Sequence, residues 1–368
     1  MKPHLIVLDG LRGTAAISIV LFHFQLPTFD SVHPSGQWLS HAYLAVDFFF
    51  CLSGYVIGYA YDGRYGQMSR AAFLTARLIR LHPMVVMGVV IGLLTYVLDP
   101  FTAAPKLVPG PEVQSAPAWK LAACTLAGLL MIPSWSLPNR GGAYFSLNVP
   151  CWSLMWEYLA SIAYAFALWR MTRTALLLVA VLGAIGVVVS AHMAGSLILG
   201  FAWSQMPCAL VRTIYSFCVG LWLYRRPAAV RSRFGFVTLS LLMLVVFTLP
   251  YTRLNWLYES CVVLLLFPLI VALGAGATVS GPIAKVCQLF GRISYPIYII
   301  HWGFSMLFAN YCWTHKVDAK VLPWLIALSA GLVVLLSYAV LIAYDEPVRR
   351  RLSARRPELR GVSRTHAA

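Results

Sequence analysis

Apolar runs long enough to cross a bilayer recur along almost the whole chain, and this constrains the fold more than any motif does. A spanning helix needs about 17–25 mostly apolar residues. Ten segments meet that length, near 5–26, 42–61, 81–98, 152–169, 174–191, 208–224, 234–250, 256–274, 293–312 and 322–344. Two shorter runs, 119–134 and 196–206, are ambiguous because Pro133, Pro138, Pro150 and Pro207 bracket them, and proline favours breaks. Composition agrees: 60% of the residues are hydrophobic and only 11% charged, against roughly 25% charged in a soluble domain. A soluble globule, a disordered chain and a nucleic-acid binder are excluded. The expected fold is all-α, a polytopic transmembrane helix bundle of about ten spans. Residues 1–350 form the membrane domain and 351–368 a basic tail.

Charge orients the bundle. Lys and Arg number 28 against 12 Asp and Glu, and the basic residues cluster. Arg64, Arg70, Arg77 and Arg80 share one inter-span region, and Arg225, Arg226, Arg231 and Arg233 another. Arg349, Arg350, Arg351, Arg355, Arg356, Arg360 and Arg364 crowd the C-terminus. Positive loops stay cytoplasmic beside anionic lipid. With ten spans and both termini cytoplasmic, these clusters all fall inside. Making 119–134 one extra span would put the tail outside, so that run is read as a re-entrant or surface helix, with twelve spans as the fallback. Eight scattered cysteines form no CxxC or CxxH pattern, so neither a disulfide framework nor a zinc site is expected. The first apolar run holds Asp9 and Arg12 and lacks a clean cleavage pattern, so no cleavable signal is expected.

Charged groups at membrane depth are expensive and usually functional or paired. In the first span, Arg12 and His23 are eleven residues apart, and steps of about 100° leave an offset of only about 20° over a rise of roughly 16 Å. Both therefore lie on one stripe, Arg12 at the cytoplasmic mouth and His23 deeper. Asp9, three residues before Arg12, can pair with it. A buried histidine can serve as a base near neutral pH; equally, it can be a core histidine satisfied by a neighbouring helix. Asp47, set among Phe48, Phe49 and Phe50, needs a partner, either His23 or an arginine. Ser53-Gly54 reads as a packing pair. Arg77 and Arg80 share a face at the start of the third span, where forked guanidinium groups suit phosphates or lipid headgroups, and Pro83 suits a helix start. Glu157 sits between Trp156 and Tyr158 at the fourth span. Ser294, Tyr298 and His301 form a polar stripe, and Arg212 with Glu259 reads as a buried interhelical pair.

Six segments in this order resemble the acyltransferase-3 family of integral-membrane acyltransferases. They are LDGLRG with His23 beyond it, DFFFCLSGY at 47–55, RLIRLHP at 77–83, WSLMWEY at 152–158, ISYPIYIIHW at 293–302 and DEPVRRR at 345–351. The likeness covers about residues 5–350, in the manner of the short, stand-alone members. Departures are small: Met155-Trp156 and Tyr55 replace more usual residues. The resemblance implies transfer of an acyl group, most often acetyl from acetyl-CoA, to a hydroxyl of a carbohydrate or lipid-linked glycan acceptor, without a metal, in a bacterial inner membrane. It implies a catalytic pair of His23 and Arg12 and donor handling by Arg77 and Arg80, while Asp47 and Glu157 match carboxylates of the family. On the expected mechanism His23 acts as general base or acyl relay, Asp47 or Glu157 orients the imidazole, and Arg12 joins in donor binding. Trp152, Ser153, Tyr298 and His301 are the candidates for acceptor contact. An exporter of a glycosylated or acidic solute is the competing class, but it predicts internal repeats and the sequence has none.

Overall fold

The computed structural model describes residues 4–28, 37–64, 67–101, 116–138, 140–226, 230 and 232–355. Arg231, Arg356, Arg360, Arg364 and residues 102–115 of the long loop lie outside the described residues. Among the described residues, eleven helices carry the architecture: α1 (Ile6–Phe24), α2 (Ala45–Tyr61), α3 (Arg70–Val97), α4 (Ala118–Leu129), α5 (Cys151–Phe166), α6 (Arg173–Ala194), α7 (Met206–Tyr224), α8 (Phe236–Thr248), α9 (Asn255–Ala275), α10 (Gly281–His315) and α11 (Leu322–Ala354). Each of the ten expected segments falls on one of them. Among the described residues, seven helices are long and apolar enough to cross a membrane. The run at 119–134 yields only the 12-residue α4, roughly 18 Å long and short of the ~30 Å hydrocarbon core. The run at 196–206 is mostly irregular. Helix α11 continues through Ala354.

The centre of the bundle is the pair α1 and α10, which run parallel and in close contact. A Cβ on Gly13 would lie 2.3 Å from Phe290 Cβ, and one on Gly291 would lie 2.6 Å from Asp9 Cβ. Glycine at both positions lets the two helices approach until side chains of one reach the backbone of the other. A second close seam joins α2 to α7. A Cβ on Gly54 would lie 2.1 Å from the Phe217 carbonyl oxygen, and one on Gly220 would lie 1.9 Å from that of Cys51. The Ser53-Gly54 packing reading is therefore half correct: Gly54 packs, while Ser53 points its hydroxyl elsewhere.

The start of α1, the first third of α10 and the end of α11 meet at one end of the bundle. Arg12 reaches Gly291, Arg292 pairs with Glu346 at 2.8 Å, and Tyr344 Oη donates to the Pro83 carbonyl at 3.1 Å. This end also carries Arg64, Arg77, Arg80, Arg225 and Arg349, and is called the basic end below. Helix α3 departs from expectation. It begins at Arg70, where the Ser69 hydroxyl accepts from Ala72 N at 3.1 Å, and Pro83 lies inside it rather than near its start. The capped first turns carry Arg77 and Arg80 inward against α5 and α10.

Candidate active site

A cavity with some 910 Å³ of atom-free space, its open mouth included, lies between α1, α2, α3, α5 and α10. Arg12, Arg77, Arg80 and Tyr61 line it toward the basic end, and Val46, Phe49, Leu52 and Leu81 give it apolar walls. Its inner end is formed by Phe49, Ser153 and Tyr298. The Tyr298 and Ser153 hydroxyls are 2.6 Å apart, and the Phe49 ring stands edge-on to Tyr298 with centroids 5.5 Å apart.

The three arginines differ in what already holds them. Arg12 is satisfied by its own surroundings: Asp9 at 3.0 Å, the Ser294 hydroxyl at 2.9 Å and the Gly291 carbonyl at 2.8 Å. Arg77 donates to Glu157 and to the Ser161 hydroxyl, and Ser53 donates to the same Glu157 oxygen at 3.1 Å. Arg80 lines the cavity with no hydrogen-bonding or ion-pair partner among the described residues. Its charged neighbours are the Arg12, Arg77 and Arg349 guanidinium groups and the Asp345 carboxylate, a surplus of positive charge that makes its position a ready place for an anion.

Beyond the inner end of the cavity lies a histidine pair. His23 Nδ1 is 2.9 Å from His301 Nε2, and the rings stack with centroids 5.0 Å apart. His301 is wholly buried, and its Nδ1 lies 3.0 Å from the Ile297 carbonyl oxygen. His23 is partly exposed and meets the edge of Trp302 at 5.1 Å. Neither histidine lines the cavity. The stripe read from the first span is real, but the passage beside it is interrupted by Phe49 and Tyr298.

Several sequence readings are corrected here. Neither expected carboxylate orients His23. Asp47 is gripped through both oxygens by Arg212, at 3.0 and 2.5 Å, because the glycine seam sets α2 directly on α7. Glu157 is occupied by Arg77. The expected Arg212–Glu259 pair does not form. Glu259 instead takes hydrogen bonds from Tyr43, Asn255 and the Leu197 amide, and lies 3.1 Å from His41 Nδ1, while burial, aided by that carboxylate, pushes the nearby Tyr251 phenol up. Trp152 does not line the cavity. It is buried under Gly200, where a Cβ would meet its ring at 2.7 Å, with the Arg212 guanidinium 5.5 Å from its ring centre. His301 is wholly buried and does not line the cavity. Ser153 and Tyr298 do reach the cavity. The contact between His23 and His301 is not legible in the sequence: eleven residues separate Arg12 from His23, but only seven separate Ser294 from His301. Among the described residues, no three His, Cys, Asp or Glu side chains gather as a metal-holding group.

A membrane-embedded helix bundle with a basic, apolar-walled cavity leading toward a histidine pair defines a class of membrane enzyme, and comparison with known proteins gives the class its name. The profile of the acyltransferase-3 family, an acyltransferase domain, matches residues 5–343, and the chain belongs to that family. It is an integral-membrane acyltransferase. It is 32% identical over 188 residues to protein 2 in the picA locus of Rhizobium radiobacter, covering 50% of this chain and 94% of that protein. It is 25% identical to BcsY of Komagataeibacter xylinus, named as a membrane-bound transacylase, over 90% of this chain and 81% of the relative. Proteins of Staphylococcus aureus named as O-acetyltransferases share 35% identity over 95 residues, which is 25% of this chain and 14% of theirs. No solved structure matches the chain.

Proposed function

We propose that the protein moves an acetyl group from cytoplasmic acetyl-CoA to a hydroxyl of a carbohydrate or lipid-linked glycan at the bacterial inner membrane, with His23 as the general base. The observation that carries this reading is the cavity itself: cationic toward the basic end, apolar along its walls, and ending one helical turn short of the histidine pair. Those residues fit an anionic donor with a long flexible arm. Arg80, which lines the cavity and has no hydrogen-bonding or ion-pair partner among the described residues, would bind its phosphates. Arg77 and Arg12, each already held, would set the charge and shape of the mouth. Val46, Phe49 and Leu52 would enclose the apolar arm.

The chemistry then belongs to His23. The partly exposed face of its ring admits the acceptor hydroxyl from the side opposite the basic end. His23 removes the hydroxyl proton as the oxygen attacks, which for a positioned base contributes typically about 10²–10⁴-fold. When bound, the donor supplies the acyl carbon as a thioester, whose C–S bond breaks as the new C–O bond forms and whose thiol leaves with the proton that His23 has taken. For the two ends to meet, Tyr298 must swing off Ser153 and open the inner end of the cavity. Comparison of glycan acetylation by mass spectrometry, in cells with and without the protein, tests the reading. Loss of acetyl groups from an envelope or exported glycan is expected. An unchanged glycan profile in cells that make the protein would refute the assigned acceptor class.

A further inference from the structure

We infer that His301 is a positioning residue that fixes the tautomer and direction of the His23 ring. The inference deepens the reading of His23 as base and rests on it. It follows from counting donors along one chain of hydrogen bonds. The Ile297 carbonyl can only accept, so the His301 Nδ1 that sits 3.0 Å from it carries a hydrogen. His301 has no exposed surface, and a cationic ring without a counter-ion is costly there. The ring is therefore neutral, and its Nε2 holds a lone pair. That lone pair lies 2.9 Å from His23 Nδ1, so Nδ1 of His23 carries the hydrogen and donates, with the Ile19 carbonyl one turn back as a second acceptor beside the ring. The one nitrogen left on His23 with a free lone pair is Nε2, and it is available to take a proton from the acceptor.

The arrangement does with a second histidine what a carboxylate does in an acid–histidine pair: it selects the tautomer and holds the ring. It also explains why neither Asp47 nor Glu157 needs to reach His23. Each is committed to an arginine, while His301 is anchored on its own helix one turn from the end of the cavity. A neutral partner suits this depth, where an unpaired carboxylate beside the base would be expensive. Wrong orientation of a base leaves binding intact and slows chemistry, so the cost of losing His301 belongs in kcat and not in donor KM.

Side-chain reach supplies the test. Glutamine carries its amide at about the distance of Nε2, whereas asparagine stops near Nδ1. His301→Gln can still accept from His23, and His301→Asn can keep only the bond to Ile297. Both are compared with wild type as purified protein in proteoliposomes, with acetyl-CoA as donor and a membrane glycan extract as acceptor. His301→Asn should lose roughly 10²-fold or more in kcat, in the range assigned to a positioned base, with donor KM within about twofold and CoA binding unchanged. His301→Gln should recover most of that loss. Wild-type turnover in His301→Asn, or equal loss in both variants with intact CoA binding, would overturn the inference. His23→Ala in the same assay separates the two levels. Full activity there defeats the reading of His23 as base, whereas an inactive His23→Ala beside a fully active His301→Asn defeats only the role of His301.

Discussion

At the scale of single residues, the partners already in place separate three arginines that the sequence could only group. Arg80 has no hydrogen-bonding or ion-pair partner among the described residues, so its removal costs the protein little and the donor much. Arg80→Ala should raise donor KM roughly 10–100-fold, the loss of one charge-assisted hydrogen bond of about 1.5–3 kcal/mol, with thermal stability in detergent unchanged. Steady-state kinetics with acetyl-CoA reads this directly, and an unaltered KM would return Arg80 to lipid anchoring. Arg77→Ala should behave differently, lowering stability as well, because Glu157 and Ser161 lose their shared partner. The Asp47–Arg212 pair makes the opposite point. Both side chains are essentially inaccessible, and breaking a buried pair from one side costs about 3–5 kcal/mol. Asp47→Asn or Arg212→Ala should therefore lower the melting temperature sharply, and replacing both together should cost less than the sum. Additive losses would show that the two side chains do not depend on each other.

At the scale of helices, the glycine seams decide which faces meet. Gly54 and Gly220 bring α2 onto α7 so closely that a methyl group at Gly54 collides with the Phe217 carbonyl. Gly54→Ala should destabilise the protein by more than 1 kcal/mol, since it forces backbone apart rather than filling a gap. Gly331 is the internal control. Nothing lies within 4 Å of a Cβ built there, so Gly331→Ala should be neutral or stabilising by about 0.5–1 kcal/mol. Melting curves of the two variants in the same detergent compare them, and equal melting temperatures would contradict the seam. Much of this level is legible in the sequence. The apolar runs fall on the helices, although α3 and α10 begin eleven and twelve residues before theirs, and the eleven-residue spacing puts Arg12 and His23 on one face. What the sequence left open was pairing across long separations. Asp47 chose Arg212, and His23 chose His301, because of how α2 meets α7 and α1 meets α10. Those choices depend on glycines and helix crossings, which carry no charge or polarity signal of their own. Pro83 misled for a local reason: the Ser69 cap starts α3 well before the apolar run begins, and the helix carries the proline in its interior.

At the scale of the whole molecule, the proposed function requires the basic end to face the cytoplasm, on the side of the proposed donor, and the partly exposed face of His23 to point to the opposite side. Gly63 follows α2 at the basic end, and Gly195 follows α6 at the other. Single cysteines introduced there, with the exposed Cys261 changed to serine, should respond differently to a membrane-impermeant maleimide. Gly195→Cys should label in intact spheroplasts and Gly63→Cys only after lysis. The reverse pattern would turn the molecule over and remove the cavity from its donor. The central claim, that a donor held at the basic end and a base at His23 together acylate a hydroxyl, is tested most directly by following label from radioactive acetyl-CoA into glycan, using purified protein in proteoliposomes. Wild-type protein should transfer label, and His23→Ala, equally well folded and still binding CoA, should transfer at least about 100-fold less. Transfer by His23→Ala at the wild-type rate would contradict the account.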